Sequence, residues 1–510
     1  MAPCVSGEER LPLAGSRDRP TDPVEVLDSP QAGTTVIRGN VLRLAGYAAG
    51  VGLSVVSASV MIRHLGPADW GAYVTVSSLI ALVAGLSEFG LSNIGVREYA
   101  TLAHDERIRL IKNLIGLRLA LAALGLIAAL VFALAAGYRP VLLAGIALWG
   151  VGLMLTFVQQ AVGVPLLTRL QLGWVSTLEL MRQGGMLVVV LALVLLGSGL
   201  LAFLAAPLPV GILLLGVTIP LARGMVPFVP GFDRAEWSRI LRMTIAYSIA
   251  ATVGTIYVAV TVLVMSIVGT SADTGYYGAS YRIFTVLGYL PLLLVGSAFP
   301  ILSRAARDDR MRLGYALQRL LEVALILGVW LALCTALGAG FLIHLIAGPS
   351  FEPAVAVLEI QAFALIGTFL AATLSFALLS ERLHTGVLVA NAIALVAGTT
   401  AALGLVPLVG AKGAAAATVV GESILTLAYA VALFRRGGDL RISPRVVPKV
   451  LVSAALAALL VFVPGLNGLA LAVAAGVVYI VVLSLLRGVP PELWKALFTL
   501  RPTSYPPEGG

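Results

Sequence analysis

The chain has 510 residues, of which 59% are hydrophobic and only 12% charged, and its mean hydropathy is +1.00. A water-soluble domain is roughly 45–50% apolar and about 25% charged, so this composition excludes one and makes lipid the solvent. A formal charge of +9 raises nucleic acid as a partner, but the charges are spread along the chain as a membrane protein's sidedness signal, and no nucleic-acid partner is expected.

Residues 1–37, rich in Pro, Asp, Arg, Gly and Ser without an apolar period, are expected to form a disordered cytoplasmic tail. Apolar runs of roughly 20 residues, enough to cross a ~30 Å hydrocarbon core as a helix, then recur from Val41 to Leu486. They predict an all-α integral membrane protein of about fourteen transmembrane helices. The predicted spans begin near residues 44, 70, 114, 141, 178, 200, 245, 278, 320, 354, 385, 414, 448 and 469. A membrane β-barrel would show alternating segments instead of these continuous runs. No cleavable signal is visible, and the first span is expected to act as an uncleaved insertion signal.

The segment GPADWGAY (Gly66 to Tyr73) is echoed by GTSADTGYY (Gly269 to Tyr277), each a short polar turn between long apolar stretches. Superposing Gly71 on Gly275 gives an offset of 204 residues. Two parallel six-helix lobes follow, residues 38–240 (spans one to six) and 241–440 (spans seven to twelve), arranged to expose a central site alternately to either side. Spans thirteen and fourteen occupy 441–488 and have no counterpart in the repeat. They are either a peripheral addition or the wall of a groove for lipid. Residues 489–510 complete the chain as a second cytoplasmic tail. Between the lobes, Gly231 to Arg242 (GFDRAEWSRILR) reads as an interfacial helix turning Trp237, Ile240 and Leu241 towards lipid.

Threading the spans with both termini on one side leaves only Arg63, Arg139, Arg282 and Lys412, of 34 Lys and Arg, on the other. The positive-inside rule makes the first side cytoplasmic. Membrane lipids are therefore partners, with the basic loops beside anionic headgroups.

Cys4 and Cys334 give no disulfide framework, and His64, His104, His344 and His384 lie too far apart for metal-ligand spacing. GAKG (Gly410 to Gly413) lacks the spacing of a phosphate loop. No metal or cofactor is expected. The outer loops carry only isolated Asp69, Asp273 and Glu352, so the chain is read as a transporter and not an enzyme; a membrane glycosyltransferase or polymerase is the enzymatic alternative.

Ionisable groups in or at the ends of spans carry the most information, since each costs roughly 2.5–3.5 kcal/mol at a helix centre and so faces the interior or water. Arg43, Glu88, Arg97, Arg118, Glu179, Arg182, Arg282, Glu322, Glu359 and Glu422 form this set. Arg43, Arg97 and Arg118 at the inner mouth, with Glu88, and Arg282 towards the outer mouth would give a ladder for a phosphate-bearing headgroup, because guanidinium forks match phosphate oxygens. Topology and helix-end pairing are the alternative reading, most plainly for Glu179 with Arg182 and Arg97 with Glu98. Gly66, Pro67, Gly71, Gly275 and Pro291 are the candidate gate and hinge positions.

HLGPADWGAY (His64 to Tyr73) and SEFGLSNIGVREYA (Ser87 to Ala100) resemble the N-terminal signature of the bacterial O-antigen and polysaccharide flippases. TGYYGASYR (Thr274 to Arg282), SAFPILSR (Ser297 to Arg304) and LVGAKGAAAATVVGE (Leu408 to Glu422) resemble that family's later segments. The resemblance covers residues 38–440. It implies a multidrug-exporter-like fold around a cationic cavity, in the bacterial cytoplasmic membrane. The implied activity moves a polyprenyl-diphosphate-linked oligosaccharide from the inner to the outer leaflet, in concert with polysaccharide polymerase machinery. Peptidoglycan precursor as substrate, or a multidrug or metabolite exporter on the same fold, are the alternatives. Many relatives carry an acidic residue in the seventh span, whereas YVAVTVLVM (Tyr257 to Met265) has none. An anionic diphosphate can instead move with the membrane potential, worth roughly 2.3 kcal/mol per charge per 100 mV.

Overall fold

The structure, a computed structural model, describes residues 32–88, 90–168, 172–223, 229–308, 310–436, 443–463, 465 and 467–489. Residues 1–31 and 490–510 of the expected tails lie outside the described residues, and the first helix begins at Ala32, within the stretch expected to be a tail.

Every regular element among the described residues is helical. The first continuous helical stretch, Ala32–Glu88, holds an apolar length of 41 residues (Ala48–Glu88). At about 1.5 Å per residue that is roughly 60 Å, twice a ~30 Å core, so it has to turn back. It does so at Gly66, whose φ of 70° and ψ of 178° break the helix in a region open to glycine. Pro67, with no N–H to satisfy, then starts the next helix. The stretch is thus two spans, α1 (32–65) and α2 (67–88).

The first half of the chain continues with α3 (Leu91–Thr101), α4 (His104–Ala135), α5 (Pro140–Val162), α6 (Val164–Thr168), α7 (Leu172–Leu195), α8 (Leu200–Ala205) and α9 (Pro207–Leu221). The second half holds α10 (Arg234–Val268), α11 (Ser271–Gly288), α12 (Leu290–Asp308), α13 (Arg310–Leu337), α14 (Ala339–Ile346), α15 (Ala354–Ala362), α16 (Ala364–Ser380), α17 (His384–Val409) and α18 (Ala411–Arg436). Last come α19 (Val446–Ala458) and α20 (Gly468–Leu485), which pack on each other and on α13.

Eleven helical stretches are long and apolar enough to cross a membrane, and two shorter apolar helices, Thr252–Val268 and Val446–Phe462, join them. With the first stretch divided at Gly66 there are fourteen, in the order expected. Because the number is even, one face of the membrane carries both ends of the described bundle together with most of the Lys and Arg. This is the basic face. The other, the turn face, carries the two echoed turns.

The distribution of the hydrophobic core says how the bundles meet. One cluster at the turn face runs through both halves of the chain, from Ile62, Trp70, Val76 and Phe203 to Tyr277, Ile343, Phe351 and Ala415. Towards the basic face the core divides. Leu91, Leu110, Ile111, Val162 and Ala222 form one cluster in the first half, and Leu317, Leu374, Leu378 and Leu433 another in the second. The molecule is closed at the turn face and cleft at the basic face.

Residues 231–242 differ from the sequence expectation. Arg234 opens the 35-residue helix α10, and Ile240 is wholly buried, with Trp237 and Leu241 packed on the same first-half cluster and not turned to lipid. Gly231 N–H donates to the Lys112 carbonyl (2.7 Å), and Asp233 N–H to Asn113 Oδ1 (2.9 Å). Arg239 reaches Glu98 on α3 (3.3 Å) and Glu236 (2.6 Å), and those hydrogen bonds, Glu236 first, raise its pKa. The start of α10 is therefore fastened to the first bundle while its far end packs on α17 in the second.

Candidate functional site

Within the first bundle, bordered by α12 of the second, lies a cavity of about 840 Å³ bounded by α1, α3, α5, α6, α7 and α9. Its polar wall comes mainly from α5, where Thr156, Gln159, Gln160 and Gly163 recur at spacings of three and four residues and so share one helix face. Ser92 of α3 and Ser176, Glu179 and Arg182 of α7 complete it, with Leu293 of α12 from the second bundle. None of the described lining residues is aromatic.

The guanidinium ladder expected from sequence is not gathered in this wall. Arg43 lies on α1, and its side chain is outside the described residues. Arg97 is exposed on α3 at the basic face. Arg118 is 2% exposed and bound through Nη2 to Glu88 Oε2 (3.0 Å) and Ser92 Oγ (2.7 Å), over the Phe157 ring at 5.8 Å. Arg118 and Glu88 thus neutralise one another behind the wall and position Ser92 within it. Arg182 is the cation that does line the cavity, and it is held by Glu179 in a forked pair (2.5 and 3.0 Å). Glu98 pairs with Arg239.

Arg282 stands deeper in the membrane than the sequence suggests. The helix α11 starts at Ser271, so Arg282 lies eleven residues in, about 16 Å from the turn face and near the middle of the span Ser271–Gly296. Its Nη2 donates to the Ser54 carbonyl (3.1 Å) and contacts Ser54 Oγ, tying α11 to α1 across the two bundles. Its Nε is buried without a partner.

Above this level the echoed turns meet. A Cβ on Gly71 would overlap the Ser271 carbonyl and come within 2.8 Å of Gly275 N, while one on Gly275 would overlap the Pro67 carbonyl and lie 3.2 Å from Gly71 N. Pro67 and Ser271 are themselves 204 residues apart, so the contact is reciprocal, as across a two-fold axis. Around it, Arg63 Nη2 donates to the His344 and Leu345 carbonyls (3.0 and 2.6 Å) at the C-terminal end of α14, and Ser59 Oγ to the Ile346 carbonyl (2.7 Å). Tyr138, in the loop before α5, shares a 2.5 Å hydrogen bond with Ser266 of α10; burial raises its phenol pKa, and Ser266 opposes that shift. Pro291 sits at the break between α11 and α12, just above Leu293 of the cavity.

A second polar cluster occupies the second bundle. Glu422 of α18 accepts from Tyr257 of α10 (2.9 Å) and Thr368 of α16 (3.0 Å), beside a small cavity of about 40 Å³ lined also by Thr261, Tyr277 and Thr418. The seventh span, itself without an acidic residue over 257–265, is thus met by a carboxylate from another helix. Periodicity cannot reveal such a pairing, but an adjacent Gln159–Gln160 pair inside an otherwise apolar span is a signal that could have marked the cavity wall.

By sequence the chain matches no curated protein. Among solved structures it is similar to a lipid II flippase MurJ in an inward closed conformation, with a TM-score of 0.71 at 12% identity over 89% of this chain and 100% of that one. It is also similar to a multidrug resistance MATE family transporter of the MOP superfamily, with a TM-score of 0.61 in the inward-facing conformation (16% identity, 76% and 94% covered) and 0.52 in the outward-facing one (15%, 84% and 100%). At these identities the likeness is one of fold. Residues 60–356 match the family described as "Polysaccharide biosynthesis protein", more than half of the chain, and the protein, a multi-pass membrane protein with a flippase and transporter fold, belongs to that family.

Proposed function

We propose that the protein is a flippase that carries a polyprenyl-diphosphate-linked oligosaccharide across the bacterial cytoplasmic membrane, from the inner to the outer leaflet, for cell-surface polysaccharide synthesis. The observation that carries this reading is the division of the core. The core is continuous at the turn face and divided at the basic face, where the first bundle holds an 840 Å³ cavity with a polar wall on α5. With the basic face cytoplasmic by the positive-inside rule, both ends of the bundle are cytoplasmic and the cavity is loaded from the side where such a glycan is assembled. Membership of a polysaccharide biosynthesis family and the fold shared with a lipid II flippase support the same substrate class. The chain moves its substrate unaltered and is not an enzyme; a polymerase would act on the glycan after release. An exporter of hydrophobic drugs is disfavoured by the wall itself, which offers hydroxyls and amides in place of aromatic rings.

The test is deletion of the chromosomal copy followed by mass spectrometry of polyprenyl-linked sugars. Accumulation of one lipid-linked glycan, reversed by re-expression, is expected. An unchanged lipid-linked pool together with intact surface polysaccharide would overturn the assignment.

A further inference from the structure

We propose that the α5 wall of the cavity is a sugar-reading subsite, in which Gln159, Gln160, Thr156 and Ser92 recognise the hydroxyl groups of the glycan and not its diphosphate. The inference rests on the flippase reading and assigns a part of the substrate to named side chains.

The hydrogen-bond inventory decides it. Thr218 Oγ1 donates to the Leu214 carbonyl (2.8 Å), so its hydroxyl proton is committed, and it can only accept from Gln159 (3.2 Å). That fixes the Gln159 amide with one N–H on Thr218, leaving its second N–H as a donor and its Oε1 as an acceptor. Thr156 likewise spends its proton on the Gly152 carbonyl (3.0 Å) and offers lone pairs. Ser92 is the opposite case. Its Oγ accepts from Arg118 (2.7 Å), which leaves its own proton to donate. Gln160 is exposed at the cavity and carries both a donor and an acceptor.

A diphosphate at neutral pH presents only acceptors, so it could use the donors of this wall but would leave Gln159 Oε1 and the Thr156 lone pairs unmatched. A sugar hydroxyl donates and accepts at once, matching a wall in which Thr156 accepts, Ser92 donates, and Gln159 and Gln160 do both. The volume agrees, since about 840 Å³ is near the top of the roughly 300–1,000 Å³ range of ligand sites and exceeds what a bare diphosphate fills. The Glu179–Arg182 fork at the edge leaves no spare net charge to override this preference.

The experiment uses the full-length protein in lipid nanodiscs and two probes, farnesyl diphosphate and farnesyl diphosphate bearing one hexose, with affinity read by microscale thermophoresis. Wild type is expected to bind the hexosyl probe more tightly than the bare one. Gln160→Met and Gln159→Met, both near-isosteric, are each expected to weaken the hexosyl probe about five- to tenfold, the loss of one neutral hydrogen bond, with the bare probe unchanged. Gln160 is exposed, so its variant tests recognition without disturbing a packed core, and an unchanged unfolding temperature verifies this. Equal loss on both probes, or no preference for the hexosyl probe in wild type, would overturn the subsite while leaving the flippase reading standing. Failure of wild type to bind either probe would overturn both.

Discussion

The charged side chains of this membrane interior act mostly on one another. Arg118 is absorbed by Glu88 and Ser92, and Arg182 by Glu179, whereas Arg282 spends its donors on Ser54 of the facing bundle. Arg282→Ala is expected to leave abundance near normal, because no apolar core is emptied, but to impair glycan export by removing the mid-membrane tie between α11 and α1. Arg282→Lys should restore only part, since the compact ammonium on its shorter stem does not set a nitrogen against Ser54 as the planar guanidinium sets Nη2. Export measured at matched expression checks this, and a fully active alanine variant would take Arg282 out of the mechanism. Glu422 is a different case, a carboxylate held by two hydroxyls with no cation paired to it among the described residues. An intramembrane carboxylate is a functional site by default. Glu422→Gln removes the charge while keeping one oxygen to accept from Tyr257 and turning its NH₂ to Thr368, whose hydroxyl proton can stay on the Ala364 carbonyl. Flipping in proteoliposomes by this variant is expected to lose the response to an imposed proton or sodium gradient that wild type shows. A wild-type rate indifferent to both gradients would leave the membrane potential as the drive.

Among the elements, the echoed turns are the part of the mechanism most legible in the sequence. Gly71 and Gly275 repeat at the same offset as Pro67 and Ser271, and a repeat of glycine within a helix that gains nothing from it locally points to close packing. The span count is equally legible, because length and hydropathy are local properties. Partners across helices are not. Nothing in the spacing of Arg118 or Glu422 says which helix faces it, and a boundary error of seven residues at α11 moved Arg282 from mid-membrane to the outer mouth in the sequence reading. The Trp237 segment misleads for a related reason, since an amphipathic turn looks the same whether its apolar face meets lipid or, as here, the core around Leu110 and Ile111. The glycine contact makes its own prediction. A methyl group at Gly275 cannot be accommodated against the Pro67 backbone, so Gly275→Ala should force the turn face apart. In a chain with both native cysteines replaced by serine, Ala72→Cys, 2% exposed in the parent, should react with a membrane-impermeant maleimide several-fold faster when Gly275→Ala is added. Equal labelling rates would show that the turns do not seal that face.

At the scale of the whole molecule, the asymmetry between a fused turn face and a divided basic face is what one end of the proposed flippase's cycle requires. The fused side is held by the apolar cluster shared between the halves, by the close approach of two glycines, and by the polar contacts of Arg63 on the carbonyl end of α14, Ser59 on Ile346 and Tyr138 on Ser266. Water can satisfy those polar groups once they separate, but opening must also part apolar surface between the bundles. The cleft side has the opposite character, with a separate apolar cluster on each bundle and α10 fastened to the first by Gly231, Asp233 and Arg239. If the bundles rock as the proposed function implies, the motion is expected to be absorbed along α10 between its docked start and the part that packs on α17, rather than by release of that start. Two distances measure such a motion. Spin labels at Arg97 and Arg304, exposed at the basic face on α3 and α12, should approach one another when the glycosylated carrier is bound, while labels at Arg139 and Lys412, on the turn-face ends of α5 and α18, should separate. The two changes should be anticorrelated and should share one population, read by pulsed electron double resonance in nanodiscs. Glu98→Ala, which unfastens Arg239 from α3, should reduce the coupling between them without abolishing either. Independent movement of the two faces in the unmodified protein would mean that the bundles do not move as rigid units, and alternating access by rocking would have to be abandoned.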